Sequence, residues 1–411
     1  MQIAHRIRQL SSESAFRVLA RARALEAQGR DVVHLEIGDP DFDTSPHVVE
    51  AACRALRDGA THYAPPPGLP ALREALAAQT GERRGIDVSP EQVVVTPGAK
   101  PALFFALLAL AEPGVEVLYP DPGFPIYRSV IGFCGAQPVA YPLREELGFS
   151  FRLDDVQARI TPRTRAIILN SPHNPTGGVI PAADLAALAG LCVEHDLVAI
   201  SDEIYEFMDY GSVMHDGATD GSATDGGATD GGAFASIAAM PGMSTSERTV
   251  IVHGFSKTYA MTGWRLGYAV MPTPLAEAMA LLMVNSNSCT ATATQMAGLA
   301  ALQGPWEPVQ AMLDAFAVRR KVLVEGLNAV PGMRCAMPGG AFYAFPNIRG
   351  TGLSSAELES YLLEEAGVAT LAGTGFGEQG EGYLRLSYAN SVERLQEALR
   401  RMRAACAALL D

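Results

Sequence analysis

Short apolar runs alternate with longer amphipathic stretches along most of the chain. The apolar runs are rich in valine and isoleucine and end in clusters of glycine, proline, asparagine or aspartate, which is typical of β-strands. Because these runs are apolar throughout, we expect both faces of their sheet to be covered. The predicted strands are residues 32–37, 92–96, 115–119, 166–170, 198–201, 249–253 and 267–270.

The stretches between these runs place their apolar residues on one side of a helix. Strands that alternate with helices form βαβ units, whose strands are parallel. The pattern therefore predicts an α/β fold with a mainly parallel sheet flanked by helices. The predicted helices are residues 16–28, 46–58, 70–79, 100–111, 124–134 and 184–195.

The pattern changes after about residue 300, where long helices and isolated strands follow one another. Such a mixture is typical of an α+β domain. We therefore expect a large domain at residues 45–305, and a smaller domain formed by residues 1–44, with an N-terminal arm, and residues 306–411. The predicted elements of the second part are helices at 308–330, 355–366 and 392–410 and strands within 333–346 and 383–388.

Residues 215–233 differ from the rest of the chain. They repeat variants of Asp-Gly-Ala-Thr and contain no large apolar residue. Such low complexity predicts a solvated loop insertion in the large domain. The nonapeptide pattern of calcium-binding β-helices is missing, so we do not expect a calcium site here.

The charge balance excludes some classes of partner. Of the 411 residues, 45 are acidic and 31 basic, which gives a net charge of −14. Proteins that bind nucleic acid or anionic membrane surfaces concentrate lysine and arginine, so neither partner is expected. The longest apolar run, residues 101–111, is shorter than the about 20 residues that span a bilayer.

The cysteines and the N-terminus bear on location. Six cysteines are scattered without a CxxC pair, which favours free thiols over disulfides or a zinc site, and we expect no metal. The first 14 residues lack the apolar core of a secretory signal. We therefore expect a cytoplasmic protein.

Chemistry that needs a lysine amine has three candidates, Lys100, Lys257 and Lys321. Lys321 belongs to a polar helical face, where it is expected to be solvated. Lys257 lies just past a predicted strand, and ligands of open α/β sheets bind beyond the carboxyl ends of strands. Apolar surroundings would lower the pKa of its amine and make it a nucleophile. On position alone, an ordinary surface lysine explains Lys257 equally well.

Other polar groups also follow predicted strands. A glycine turn and a helix start at residues 96–100 could hold a phosphate, although many such turns hold nothing. Asp202 could contact a ligand or cap a helix, Arg265 could form a surface ion pair, and the Asn174 loop could be a plain turn. Together they offer the lysine, the acid and the anion-binding groups that pyridoxal phosphate requires.

Four motifs carry a resemblance to a known family. They are residues 174–177 (Asn-Pro-Thr-Gly), 201–205 (Ser-Asp-Glu-Ile-Tyr), 256–257 (Ser-Lys) and 263–265 (Gly-Trp-Arg). In order and spacing the chain resembles the class I/II aminotransferases of fold type I, which use pyridoxal phosphate, and in particular the bacterial-type aspartate aminotransferase group. The resemblance runs from about Phe16 to the C-terminus, and the repeat at 215–233 is its main departure.

The resemblance implies a role for each cofactor-binding residue. Lys257 would form the aldimine with the cofactor and then move the proton between substrate and cofactor, and Asp202 would pair with the ring nitrogen. Asn174 and Tyr205 would hydrogen-bond the ring hydroxyl oxygen, and Phe124 would stack on the ring. The residues implied at the phosphate are Gly98, Ala99, Lys100, Ser256, Arg265 and, from the other subunit of a homodimer with shared active sites, Tyr63.

The resemblance also implies how substrates bind. Arg385 would clamp the α-carboxylate of the amino acid as a bidentate pair, and the backbone of Gly38 would meet the same carboxylate. Asn174 and Phe124 would border the substrate as well. The implied reaction is ping-pong transfer of the α-amino group of an L-amino acid to a 2-oxo acid through aldimine and ketimine intermediates.

Several alternatives stay open at this point. Lys100 could bind the distal carboxylate of aspartate or glutamate, or only add charge near the phosphate. Glu13 would repel an acidic substrate if it pointed inward, and residues 284–294 offer no arginine for a second carboxylate, so basic and aromatic donors remain. We nevertheless prefer aspartate or glutamate as the donor, with 2-oxoglutarate as the acceptor. A C–S lyase, decarboxylase or oxidative deaminase would use similar cofactor ligands.

Two unrelated functions are disfavoured. A pyridoxal-dependent transcription regulator would carry an extra DNA-binding domain ahead of the resemblance, which begins within the first 20 residues here. A dinucleotide-binding dehydrogenase would show GxGxxG after an early strand, and this pattern is missing.

Overall fold

The computed structural model describes residues 2–10, 14–213 and 234–410. Glu13 and the repeat at 215–233 lie outside these ranges. The strands are β1 Val33–His34, β2 Val93–Thr96, β3 Glu116–Asp121, β4 Gln137–Pro142, β5 Thr164–Asn170, β6 Val198–Asp202, β7 Thr249–Gly254, β8 Gly267–Val270, β9 Tyr343–Ala344, β10 Val368–Ala369, β11 Leu371–Ala372 and β12 Leu384–Ser387.

The helices flank these strands. Five further residues, Leu362–Ala366, extend α12 as a π-helical turn. The α-helices are α1 Ser14–Glu26, α2 Pro46–Arg57, α3 Pro70–Arg84, α4 Ala99–Leu110, α5 Ile126–Phe133, α6 Leu153–Gln157, α7 Ala182–Glu194, α8 Tyr210–Val213, α9 Thr273–Ser286, α10 Thr292–Gln303, α11 Glu307–Asn328, α12 Ser355–Tyr361 and α13 Val392–Leu410.

A seven-stranded sheet has the order β2-β8-β7-β6-β5-β3-β4. Strands β3 to β7 are parallel to one another, and β8 runs antiparallel to both of its neighbours, β2 and β7. The predicted α/β fold with a mainly parallel sheet is confirmed. Strand β4 was not predicted, because its polar start and its prolines, Pro138 and Pro142, interrupt the apolar pattern, as is common for an edge strand.

Both faces of the sheet are buried, as strand β5 shows. Ile167 belongs to the same apolar cluster as Leu188 of α7. Its neighbour Ile168 points to the other face and belongs to the cluster that contains Leu103 of α4. Because successive side chains of a strand point to opposite faces, a strand covered on both sides must be apolar throughout. The sheet is therefore a firm base for groups at its carboxyl edge.

The two ends of the chain meet beside this sheet. Strand β1 pairs with β10 in parallel, with Val33 opposite Val368. Strands β11, β12 and β9 form a separate antiparallel sheet. Leu323 of α11 and Leu395 of α13 share an apolar cluster with Leu384 of β12. The proposed division at residues 45 and 305 stays a prediction.

Two further observations concern the second part of the chain. Strands were predicted within residues 333–346, and β9 is the one strand found there. The glycines of this segment form a loop instead, whose backbone hydrogen-bonds to Gly177 and Tyr210. Within the described ranges, no helix has both the length and the apolar character needed to cross a membrane.

Candidate active site

A cavity of about 490 Å³ lies at the edge of the seven-stranded sheet where β3, β5, β6 and β7 end. The sequence predicted residues at this edge, and the structure brings most of them together. Tyr63 lies outside the cavity, with 87% of its surface exposed in the single chain. The predicted residues that line the cavity are Gly38, Ala99, Lys100, Phe124, Asn174, Asp202, Tyr205, Ser256, Lys257, Arg265 and Arg385.

The Lys257 amine lies three residues past the end of β7 and points into the cavity. Its Nζ donates a hydrogen bond to the backbone oxygen of Gly38, at 2.6 Å. Burial is the main cause that lowers the pKa of this amine to about 8. The nearby cations Arg385, Lys100 and Arg265 act in the same direction, and Asp39 acts in the opposite one. An amine of this kind is available as a nucleophile and base near neutral pH.

The Asp202 carboxyl, at the end of β6, is buried at the floor of the cavity. It accepts a hydrogen bond from the Tyr127 hydroxyl, at 2.8 Å. Burial raises the pKa of Asp202 to about 6, although this bond and the Ile204 N–H favour the charged form. No basic side chain in the described part of the chain forms a salt bridge with Asp202, so its charge is available to a cationic ligand.

The turn between β2 and α4 presents the N-terminus of a twelve-residue helix to the cavity. Gly98 has φ of 104°, and a Cβ there would lie 2.2 Å from Nη2 of Arg265. Glycine thus lets the arginine approach the turn closely. Ser256 lines the same region of the cavity. Free backbone N–H groups, a guanidinium and a hydroxyl together form a site for a phosphate.

Arg385 of β12 reaches the cavity from the three-stranded sheet and is 4% exposed. Its Nη1 donates to Oδ1 of Asn174 at 3.1 Å, and its Nη2 donates to the backbone oxygen of Glu36 at 2.5 Å. The rings of Tyr343 and Phe376 lie 4.6 Å and 4.9 Å from its guanidinium carbon. These contacts fix the plane of the guanidinium, which can then bind a carboxylate through two parallel bonds.

Two tyrosines of the site were missed by the sequence reasoning. Tyr127 bonds to Asp202, and the hydroxyl of Tyr343 lies 2.8 Å from the hydroxyl of Tyr205. Burial raises the pKa of both Tyr127 and Tyr205 well above the usual value, so both stay neutral. Tyr127 had a detectable signal, because it follows Phe124 by three residues and so shares one side of a helical turn. Tyr343 had no comparable local signal.

The outer part of the cavity is mixed in character. The Lys100 amine lies 5.3 Å from the centre of the Phe124 ring. Phe16 of α1, Ile37 and Leu103 add apolar surface to the lining. A cation beside apolar walls can receive the side chain of an acidic amino acid.

The arrangement fits pyridoxal phosphate group by group. Lys257 suits the carbonyl carbon, the uncompensated Asp202 carboxyl suits a protonated ring nitrogen, and the turn at Gly98 with Arg265 suits the phosphate. Within the described ranges, no group of three or more metal-ligating side chains could hold a metal ion.

Comparison with known proteins agrees with this fit. Residues 30–402 match the family described as aminotransferase class I and II. The chain is 42% identical to an aspartate aminotransferase of Pyrococcus abyssi over 91% of both chains. It is 40% identical to aromatic-amino-acid aminotransferase 2 of Thermococcus litoralis over 92% of both. It superposes on the aspartate aminotransferase from Thermus thermophilus with maleate with a TM-score of 0.88, at 39% identity, covering 98% of this chain and 100% of the other.

Proposed function

Because this chain belongs to the class I and II aminotransferases, whose members transfer amino groups between amino acids and 2-oxo acids with pyridoxal phosphate, we propose an acidic donor for it. Aspartate or glutamate gives up its α-amino group, and a 2-oxo acid such as 2-oxoglutarate accepts it. The observation that carries the proposal is the shared cavity of the Lys257 amine, the Asp202 carboxyl and the Arg385 guanidinium, with Lys100 at its outer part.

We assign each cofactor-binding role to the residue whose position and chemistry suit it. Asp202 would hold the protonated ring nitrogen, with its carboxylate oriented by the Tyr127 hydroxyl. Gly98, Ala99, Ser256 and Arg265 would hold the phosphate. Phe124 would cover the ring, and Asn174 and Tyr205 would bind its hydroxyl oxygen. When bound, the cofactor supplies an electron-withdrawing ring that takes up the electron pair left at the substrate carbon.

Lys257 moves the proton in the proposed reaction. Its amine, with a pKa of about 8, would take the proton from the substrate Cα and hold it for the return step. The bond to the Gly38 backbone oxygen holds Nζ in the cavity through a neutral partner. Arg385 meanwhile fixes the α-carboxylate, so that the Cα–H bond points towards Lys257.

Lys100 provides the cation for the distal carboxylate of the donor. Its Nζ lies over the Phe124 ring, and the Lys100 side chain is exposed. The buried Leu103 and the half-buried Ile37 add apolar surface to the lining, which would strengthen attraction to a carboxylate. The same apolar surface would accept an aromatic donor if Lys100 turned away, so the two donor classes require a direct comparison.

The oligomeric state and the location are also proposals. Tyr63 is an exposed aromatic residue in a loop, as expected of a side chain that reaches the phosphate of a second copy. We therefore infer a homodimer with shared active sites. The expected cytoplasmic location stays a prediction.

The function is tested by absorbance titration of the purified holoenzyme with single amino acids. L-Aspartate or L-glutamate should convert the lysine-linked cofactor completely to its amino form, and 2-oxoglutarate should restore the starting spectrum. L-Phenylalanine, L-alanine and L-arginine should need higher concentrations. Ammonia, carbon dioxide or peroxide in place of reversible conversion would instead identify a lyase, decarboxylase or oxidase.

Replacing Lys100 with methionine tests the acidic donor. We expect the aspartate concentration at half-maximal rate to rise about tenfold, as for loss of one charged hydrogen bond, with alanine changed less than about threefold. Half-reaction rates at varied donor concentration measure both values. Lys321→Met, on the exposed face of α11, is the matched control. An equal loss with both donors would assign Lys100 to the phosphate and contradict the acidic donor.

A further inference from the structure

Residues 376–379 lie against residues 121–124, and three hydrogen bonds join the two segments. The Asp121 carboxylate accepts from the backbone N–H groups of Glu378 and Gln379, both at 3.1 Å. The Gly123 N–H donates to the backbone oxygen of Phe376 at 2.7 Å. Asp121 is the last residue of β3, so this contact connects the seven-stranded sheet to the segment that precedes β12.

The contact is too close for a side chain at Gly377. This residue has φ of 134°, and a Cβ there would lie 2.0 Å from Oδ1 of Asp121. The backbone conformation also disfavours any residue other than glycine. A carboxylate on one segment and a glycine on the other are therefore matched in shape.

Each segment also reaches the active site. Phe124, three residues after Asp121, lines the cavity. The Phe376 ring lies 4.9 Å from the guanidinium carbon of Arg385. The three hydrogen bonds thus hold the ring proposed to cover the cofactor in a fixed relation to the arginine proposed to bind the substrate carboxylate.

Burying the Asp121 carboxylate costs free energy, so its hydrogen bonds to residues 376–379 must offset that cost. It is 6% exposed, and burial raises its pKa. The carboxylate of Glu378 disfavours its charge, whereas the two backbone N–H groups and Arg128 favour it. An apolar residue at this position would avoid the cost of burying a charge but could not hold two N–H donors.

We propose that Asp121 is a positioning residue for substrate binding: through residues 376–379 it keeps Phe376 against Arg385 and so sets the affinity for the α-carboxylate. The inference rests on the proposed function, since it assigns the substrate carboxylate to Arg385. It adds a contact between the seven-stranded sheet and the segment before β12 that controls this affinity from outside the cavity.

Asp121→Asn tests the inference in the holoenzyme. The amide nitrogen would face one of the two N–H donors, so one hydrogen bond becomes a contact between donors. We expect the aspartate concentration at half-maximal half-reaction rate to rise about tenfold, with the maximal rate changed less than about threefold. Asp154→Asn, exposed on α6, is the matched control and should leave both values within about twofold.

Gly377→Ala approaches the same contact from the other segment, and it carries the test if Asp121→Asn does not fold. It should weaken donor binding in the same way. Because the two residues touch, their effects should not add, and the double variant should resemble the more impaired single variant. Fully additive losses would overturn the inference.

A binding measurement separates this inference from the proposed function. Calorimetry with succinate, an unreactive dicarboxylate, should show about tenfold weaker binding to Asp121→Asn than to the unaltered enzyme. If the unaltered enzyme binds succinate but converts no amino acid, the proposed function is wrong. The ratio of succinate affinities between the unaltered enzyme and Asp121→Asn would still test the role of Asp121. Unchanged binding together with a lower unfolding midpoint would mean that Asp121 only stabilises the fold. Failure of the unaltered enzyme to bind succinate would contradict both proposals.

Discussion

Replacing Lys257 with alanine should slow the half-reaction with the amino donor by about 10⁴-fold or more. The variant loses the amine that takes the proton from Cα and the only group proposed to link the cofactor covalently. In the structure this amine combines a pKa of about 8 with a bond of 2.6 Å to the Gly38 oxygen. Stopped-flow absorbance of the cofactor bands, at saturating donor, measures the rate directly.

Two variants control for the loss of positive charge. Lys257→Arg keeps a cation, but a guanidinium stays protonated at any ordinary pH and cannot act as a base. It should therefore be nearly as slow as Lys257→Ala. Lys321→Ala removes an exposed lysine and should react at the normal rate. A Lys257→Ala rate within about tenfold of normal would exclude Lys257 as the proton carrier, since positioned bases contribute at least about 10²-fold.

Asp202→Asn should have the second largest effect on the rate, a loss of about 10²- to 10³-fold in the half-reaction. An amide cannot hold the ring nitrogen in its protonated form, so the ring takes up less electron density. The bond to Tyr127 can persist, because asparagine keeps one carbonyl oxygen, and this makes the variant a test of charge rather than of shape. The half-reaction rate should fall, and the dissociation constant of the cofactor should rise.

The same substitution should stabilise the protein after the cofactor is removed. Burial raises the pKa of Asp202 from 3.8 to about 6, so the folded apoprotein holds a proton that the unfolded chain releases. The stability of the original protein should therefore fall, relative to the variant, as the pH rises from about 4 to 6. Above pH 6 the difference should reach about 3 kcal/mol.

Urea unfolding of both apoproteins at pH 4, 5, 6 and 8 measures this difference. Asp154→Asn, whose carboxyl is exposed, should show no such trend. A variant that is less stable than the original protein at pH 8 would contradict an uncompensated carboxylate at position 202. A variant that is more stable but reacts more slowly would mean that Asp202 lowers the folding stability of the apoprotein while it raises the reaction rate.

Most of the sheet and most of the cavity could be predicted because their signals are local. Strand β6 and its terminal Asp202 form one apolar run with a polar end, and α13 was predicted with its observed bounds, Val392–Leu410. Once strands are known to be parallel, their carboxyl ends meet, so residues distant in sequence can be assigned to one site.

The remainder depends on contacts that local patterns do not encode. Helices α9 and α10 were not predicted, because their small and apolar residues show little separation of faces. Tyr343 meets Tyr205 only through the packing of β9 near the sheet. The match between Asp121 and Gly377 joins positions more than 250 residues apart, and neither residue is unusual in its own segment.

The pairing of β1 with β10 has a consequence for the order in which the chain becomes active during translation. The strands of the seven-stranded sheet lie within residues 93–270, which include Asp202 and Lys257 and leave the ribosome before residues 368–385. Residues 33–34 must wait for residues 368–369, and Arg385 follows later still. Since nascent chains fold from the N-terminal side, Lys257 and Asp202 can be in place before Arg385 has been synthesised. The ability to bind the substrate α-carboxylate is thus the last property that a newly made molecule acquires.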